Sequence, residues 1–168
     1  MSLAIEKILV PAPGHSTIDV EAEQKLDISV VFTTVDATLA ALKEACNLAS
    51  NLGARITLVV PQVVAYPVPL QTPPVLVEFN ENRFRVLASN SPVETSVKIY
   101  LCRDRLETLL QVLSPGTIVV LGGQKRRWPW WLTKDERLAR RLRLTGYEVL
   151  YKEVVSKKKD AQCSIYST

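Results

Sequence analysis

Glycines, basic residues and tryptophans crowd one short stretch of this chain: Gly122 and Gly123, then Lys125, Arg126 and Arg127, then Trp128, Trp130 and Trp131. Adjacent glycines let a backbone come close to a ligand, because no Cβ stands in the way. Lys and Arg attract anions, and the planar guanidinium fork fits phosphate or carboxylate. Indole rings stack on bases, lie at a lipid interface or anchor a protein partner. Every tryptophan of the protein falls in this stretch. The segment therefore reads as a binding site, with a loop folded back over the core as the plainer alternative.

Catalytic chemistry is harder to assemble from these residues. His15 is the single histidine, and it sits in a Pro/Gly-rich stretch with no second imidazole to complete a metal site or a hydrolytic triad. Cys46, Cys102 and Cys163 are too far apart for a CxxC pair, and their odd number argues against a disulfide framework. They read as reduced thiols, two of them core filler. No nucleophile, base and orienter come together, so the expectation leans to a binding module without catalysis or metal.

Charge is segregated along the chain. The formal net charge is +4, yet residues 124–159 hold twelve Lys/Arg against four Asp/Glu. Such asymmetry steers a small anionic ligand, an acidic protein or an anionic membrane surface. Nucleic acid is a weaker expectation, since the basic patch is short and no reader motif accompanies it. No apolar run approaches the roughly 20 residues of a membrane helix, and no signal core follows the start. A cytoplasmic protein is expected.

The elements that would position these groups alternate strand and helix. Residues 1–27 read as an arm, partly ordered at most, and 155–168 as a flexible basic tail. Between them, 28–154 forms one domain, as expected for 168 residues of which 47% are hydrophobic. The first strand is 28–33, a β-rich, mostly apolar run with hardly any alternation. A helix follows with Leu39, Leu42, Cys46 and Ala49 on one stripe, Asp36 as its cap and Gly53 as its stop. The second strand, 55–60, ends at Pro61, and a proline-rich loop leads to a helix near 75–88. The third strand, 96–102, alternates apolar and polar. Asp104 then caps a helix with Leu106, Leu109, Leu110 and Leu113 on one side. The fourth strand, 117–121, is again continuously apolar. Thr133 and Glu136 form a capping box for a helix that buries Leu138 and Leu142, and the fifth strand is 147–154.

Strands one, two and four look interior, three and five look like edges. The expected fold class is therefore α/β: a single open five-stranded parallel sheet in the order 3-2-1-4-5, with helices on both faces. Reversal of the strand order between strands one and four puts a ligand crevice there. Thr33, Thr34 and Asp36 lie on one side of it and Gly122, Gly123 and Gln124 on the other. Val60, Lys125, Arg126 and Thr133 complete the expected ligand set. Arg127, Trp128, Trp130 and Trp131 are the expected interaction set.

With its five-fold strand and helix rhythm, its helix 40–54 running into Arg55-Ile-Thr-Leu-Val and its Gly122-Gly123 after strand four, the chain resembles the universal stress protein family over about residues 28–154. The resemblance implies a sensing or regulatory module, ATP or another adenine nucleotide as ligand, and a homodimer paired through the fifth strand's edge with Tyr147, Val149 and Tyr151. Nucleotide-binding members carry an Asp after strand one and a loop of the form G-x2-G-x9-G-[S/T] after strand four. Here Thr33 stands at the Asp position. Gly122 to Thr133 spans eleven positions where that pattern needs fourteen, with no middle glycine and Leu132 in place of the last.

Overall fold

A computed structural model describes the backbone of residues 5–9 and residues 26–70, 95–125 and 133–155, together with Phe84, Val86 and Val93. Its elements are β1 (Ile5–Leu9), β2 (Asp27–Val31), α1 (Val35–Leu52), β3 (Arg55–Val63), β4 (Thr95–Cys102), α2 (Arg105–Val112), β5 (Ile118–Gln124), α3 (Lys134–Leu144) and β6 (Glu148–Val154). All pairings are parallel, in one sheet of order β1-β4-β3-β2-β5-β6. The five expected strands thus stand in the order 3-2-1-4-5. Their apolar runs explain it: Val30, Val31, Leu58, Val59, Val119 and Val120 are all buried, so β2, β3 and β5 need cover on both faces.

One expectation is corrected by a sixth strand. Ile5–Leu9 pairs with Val97–Leu101, so β4 is interior to the sheet and the first 27 residues are not merely an arm. Residues 10–25, the helix expected at 75–88 apart from helical Phe84 and Val86, and the tail beyond Val155 lie outside the described residues. Phe84 is buried and meets Phe32 edge-on at 4.8 Å between ring centroids.

The two faces of the sheet carry separate cores. On one, Ile28, Val30, Ile56, Leu58, Val97 and Ile99 pack against Ala41, Leu42, Ala45 and Ala49 of α1. On the other, Val31, Val59, Tyr100, Val119 and Leu121 pack against Leu109 of α2 and Leu138, Ala139 and Leu142 of α3. The expected stripes are narrower than read: Leu39 and Leu110 are exposed, because the small residues of α1 and the eight-residue length of α2 leave less face to cover. Asp36 is no cap. The N-cap of α1 is Thr34, and Asp36 sits exposed in the first turn. Gly53 closes α1 at φ 63°, a left-handed backbone that favours glycine.

Pro61 does not end its strand, for β3 continues to Val63. In a parallel ladder alternate residues address alternate neighbours. Phe32 N–H donates to Val59 O and Val64 N–H to Cys102 O, so odd-numbered residues of β3 face β2. Pro61 therefore presents its missing donor to β2, which has already ended at Val31.

At the opposite end of the sheet Asp27, Thr57 and Ser96 form a chain across β2, β3 and β4. Thr57 Oγ1 donates to Asp27 Oδ1 at 3.1 Å, and the Thr57 and Ser96 hydroxyls are 3.2 Å apart. Burial pushes the Asp27 carboxyl above the usual carboxylate range, partly offset by the Thr57 hydrogen bond and by Lys98 and Arg55. Its folded pKa lies above the unfolded one, so its contribution is fully present below the unfolded value and is lost as pH rises through the folded one. Asp27→Asn keeps an acceptor for Thr57 and removes the charge. It is expected to be more stable than the parent at pH 7, by only a few tenths of a kcal/mol, because water still screens the half-buried carboxyl, with the gain gone in acid. Urea unfolding at the two pH values checks this, and an equal gain in acid would sink it.

Candidate functional site

The strand order reverses between β2 and β5, the place where open α/β sheets take ligands at the carboxyl ends of their strands. The helix that follows β2 packs on one face, and those on either side of β5 pack on the other. Thr33, Thr34 and Asp36 stand at the end of β2. Opposite them are Gly122, Gly123 and Gln124, and here the structure departs from a phosphate loop. The glycines are paired rungs near the end of the β5 ladder, with Gly122 opposite Lys152, Gly123 opposite Glu153 and Gln124 opposite Val154. Lys125 N–H extends the ladder to Val154 O at 2.8 Å.

Each glycine is required by the protein itself. A Cβ on Gly122 would stand 2.0 Å from Ala37 O, so the first turn of α1 lies directly on the strand backbone. A Cβ on Gly123 would meet the Tyr151 hydroxyl from the other face. Thr33 ties the crevice together: its Oγ1 donates to Gly122 O at 2.7 Å, and its N–H donates to Thr38 Oγ1 at 3.2 Å. The expected partners are therefore adjacent, but their close approach is to one another.

Two residues that sequence reasoning missed fill the α2/α3 side of the crevice. Arg105, the first residue of α2, donates from Nη2 to Phe32 O at 2.6 Å and from Nη1 to Asp135 Oδ1 at 3.2 Å. Burial pushes its pKa down and the Asp135 carboxylate pushes it back; an Arg stays charged under such opposing shifts. It thereby fastens the carboxyl end of β2 to the first turn of α3. Tyr151, read as an edge residue, faces this interior, and burial raises its pKa. Among the described residues, buried Arg105 Nε has no hydrogen-bond partner and the Tyr151 hydroxyl has none besides the Thr133 side chain. Tyr147 and Val149 also face inward: Tyr147 Oη donates to Leu113 O at 3.0 Å, and Val149 is buried. The one signal for Arg105 was its place beside the Asp104 cap, which donor counting alone does not distinguish from a solvent-facing arginine.

Thr133 serves the capping box, accepting from Glu136 N–H at 3.2 Å while its own N–H donates to Glu136 Oε2 at 2.6 Å. Val60 is 3% exposed and belongs to the α1-side core. Exposed on the rim are Thr34, Asp36, Gln124 and Lys125, whose ammonium is 3.7 Å from Glu153. Thr34 makes no side-chain cap hydrogen bond. Thr38 N–H, bonded to Thr34 O at 2.8 Å, is the first amide satisfied within α1, so the amides ahead of it face the crevice end without a helical partner. Arg126, Arg127, Trp128, Trp130 and Trp131 lie outside the described residues.

Among the described residues no group of three or more His, Cys, Asp or Glu could hold a metal ion. Cys46 and Cys102 are buried free thiols. No described helix is long and apolar enough to cross a membrane.

No family model matches the chain, and no curated protein matches it in sequence. A solved structure does match: a protein from the universal stress protein family from Burkholderia pseudomallei, at TM-score 0.50 and 21% identity, over 78% of this chain and 98% of that one. At that identity the likeness concerns the backbone. The chain has the universal stress protein fold, with a sixth parallel strand beyond the five that the fold's order 3-2-1-4-5 supplies.

Proposed function

We propose that this domain is a non-catalytic sensing or regulatory module that binds a small anionic ligand, a nucleotide among the candidates, on the rim of the β2/β5 crevice. The observation that carries the reading is the N-terminus of α1, an 18-residue helix whose Thr34 N-cap makes no side-chain hydrogen bond and whose first amides have no cap among the described residues, where the strand order reverses. Unsatisfied amides and the positive end of a helix favour an anion. Lys125, exposed just past the end of β5 and 3.7 Å from Glu153, adds a positive charge, and Gln124 and Asp36 offer polar groups to the rest of the ligand. With both glycines pressed against the protein's own atoms, the ligand sits on this rim and not in a glycine cradle.

The test uses substitution at the cap. Thr34→Asp brings a carboxylate onto the α1 amides, which strengthens the cap and competes with any ligand there. Isothermal titration with ATP, ADP and inorganic phosphate is expected to show binding to the parent, weakened about tenfold by Lys125→Gln and lost in Thr34→Asp with no fall in melting temperature. Binding unchanged by Thr34→Asp, or no binding by the parent together with no mass beyond the polypeptide in native mass spectrometry, would remove the reading. The outer edge of β6 is a sheet edge, and a homodimer paired there belongs to the same proposal; a monomer in sedimentation velocity would count against it.

A further inference from the structure

The outer face of α3 has a charge pattern that its fold does not use. At about 100° per residue, Arg137, Arg140, Arg141 and Leu144 share a sector of about 100°, opposite buried Leu138, Ala139 and Leu142. Lys134 lies beside them. The helix's acidic residues are both engaged inward: Asp135 holds Arg105, and Glu136 closes the capping box. Arg143 is set apart, with Nε and Nη2 donating to Val149 O. Among the described residues no ion pair reaches Lys134, Arg137, Arg140 or Arg141. Like charges three and four residues apart weaken a helix, and only Arg141 of the three stripe arginines gains from the helix's negative end. The stripe therefore has a cost without an internal return.

We propose that this face of α3 is a docking surface for an anionic phospholipid bilayer. Charge complementarity selects a polyanion, and Leu144 selects the bilayer among polyanions. It is 78% exposed and stands in the middle of the arginine sector, one turn beyond Arg140 and Arg141. Arginines at headgroup level with an apolar side chain between them are the arrangement of an interfacial helix; a nucleic-acid backbone has no place for the leucine.

Co-sedimentation of the full chain with vesicles reads this directly. Binding is expected to phosphatidylcholine vesicles containing phosphatidylserine and not to phosphatidylcholine alone, falling with salt. Arg137→Gln/Arg140→Gln/Arg141→Gln is expected to lower partitioning about a hundredfold, with the melting temperature kept because the side chains are exposed. Leu144→Ser is expected to lower vesicle binding while leaving any retention on duplex DNA unchanged. The proposal is overturned by equal binding to neutral vesicles, or by retention on DNA without vesicle binding. It is overturned equally by vesicle binding that survives the triple substitution and is lost only when the three tryptophans become alanine.

Discussion

Gly122→Ala is expected to destabilise the protein by about 3 kcal/mol or more, a fall of roughly 6–12 °C in melting temperature. The new methyl would stand 2.0 Å from Ala37 O and 2.5 Å from Ala37 C, whereas ordinary contact begins near 3.4 Å. Both atoms are backbone, so no rotamer relieves the clash. Helix α1 must lift from the sheet, and with it Ala41, Leu42, Ala45 and Ala49, all buried against β2 and β3. Gly123→Ala differs in kind, for its neighbour is the far end of Tyr151. Its cost is expected to be largely recovered in Gly123→Ala/Tyr151→Leu, where the ring no longer overlies the glycine. Urea unfolding of the four proteins checks both statements. A Gly122→Ala protein within about 0.5 kcal/mol of the parent would show that α1 does not rest on β5 as described. A loss of ligand binding in a Gly122 variant would accordingly report on the fold and not on the ligand.

That contrast shows where the sequence was readable. Strand order could be inferred because continuous apolar runs such as Val30-Val31 and Val119-Val120 demand two covered faces, a requirement visible without coordinates. The location of the crevice followed, and Thr33 and Gly122, assigned to it from opposite sides, are joined by a 2.7 Å hydrogen bond. Their role did not follow. A Gly-Gly pair signals close approach but not what approaches, and here the partners are Ala37 and Tyr151, eighty-five residues before Gly122 and twenty-eight after Gly123. The sixth strand was illegible for a related reason: Ile5–Leu9 pairs with Val97–Leu101, and its cover comes from a strand some ninety residues away. The Asp36 assignment failed on a difference of two positions, as helix boundaries often do. Thr133, Glu136 and Asp104 succeeded because a capping box and an Asp cap are local and need no tertiary partner.

Arg105→Leu is expected to cost about 2–3 kcal/mol, the largest effect for any single polar side chain of the site. The substitution removes two donors at once. Phe32 O loses a 2.6 Å charge-assisted hydrogen bond, and the Asp135 carboxylate, 20% exposed, loses its cation. Because the Arg105 side chain is itself 27% exposed, water recovers part of the loss, which keeps the figure below that of a fully buried pair. Arg105→Lys retains the charge but not the fork, so it can serve Phe32 O or Asp135 and not both; an intermediate cost is expected. Asp135→Asn should cost less than Arg105→Leu, since an amide oxygen still accepts from Nη1. The double variant Arg105→Leu/Asp135→Asn should cost about 1 kcal/mol less than the sum of the single costs, because the carboxylate stranded by the first change is neutralised by the second. Equilibrium unfolding of the four proteins closes this cycle. Strict additivity would mean that the two side chains do not act together, and that the end of β2 is held to α3 by apolar packing alone.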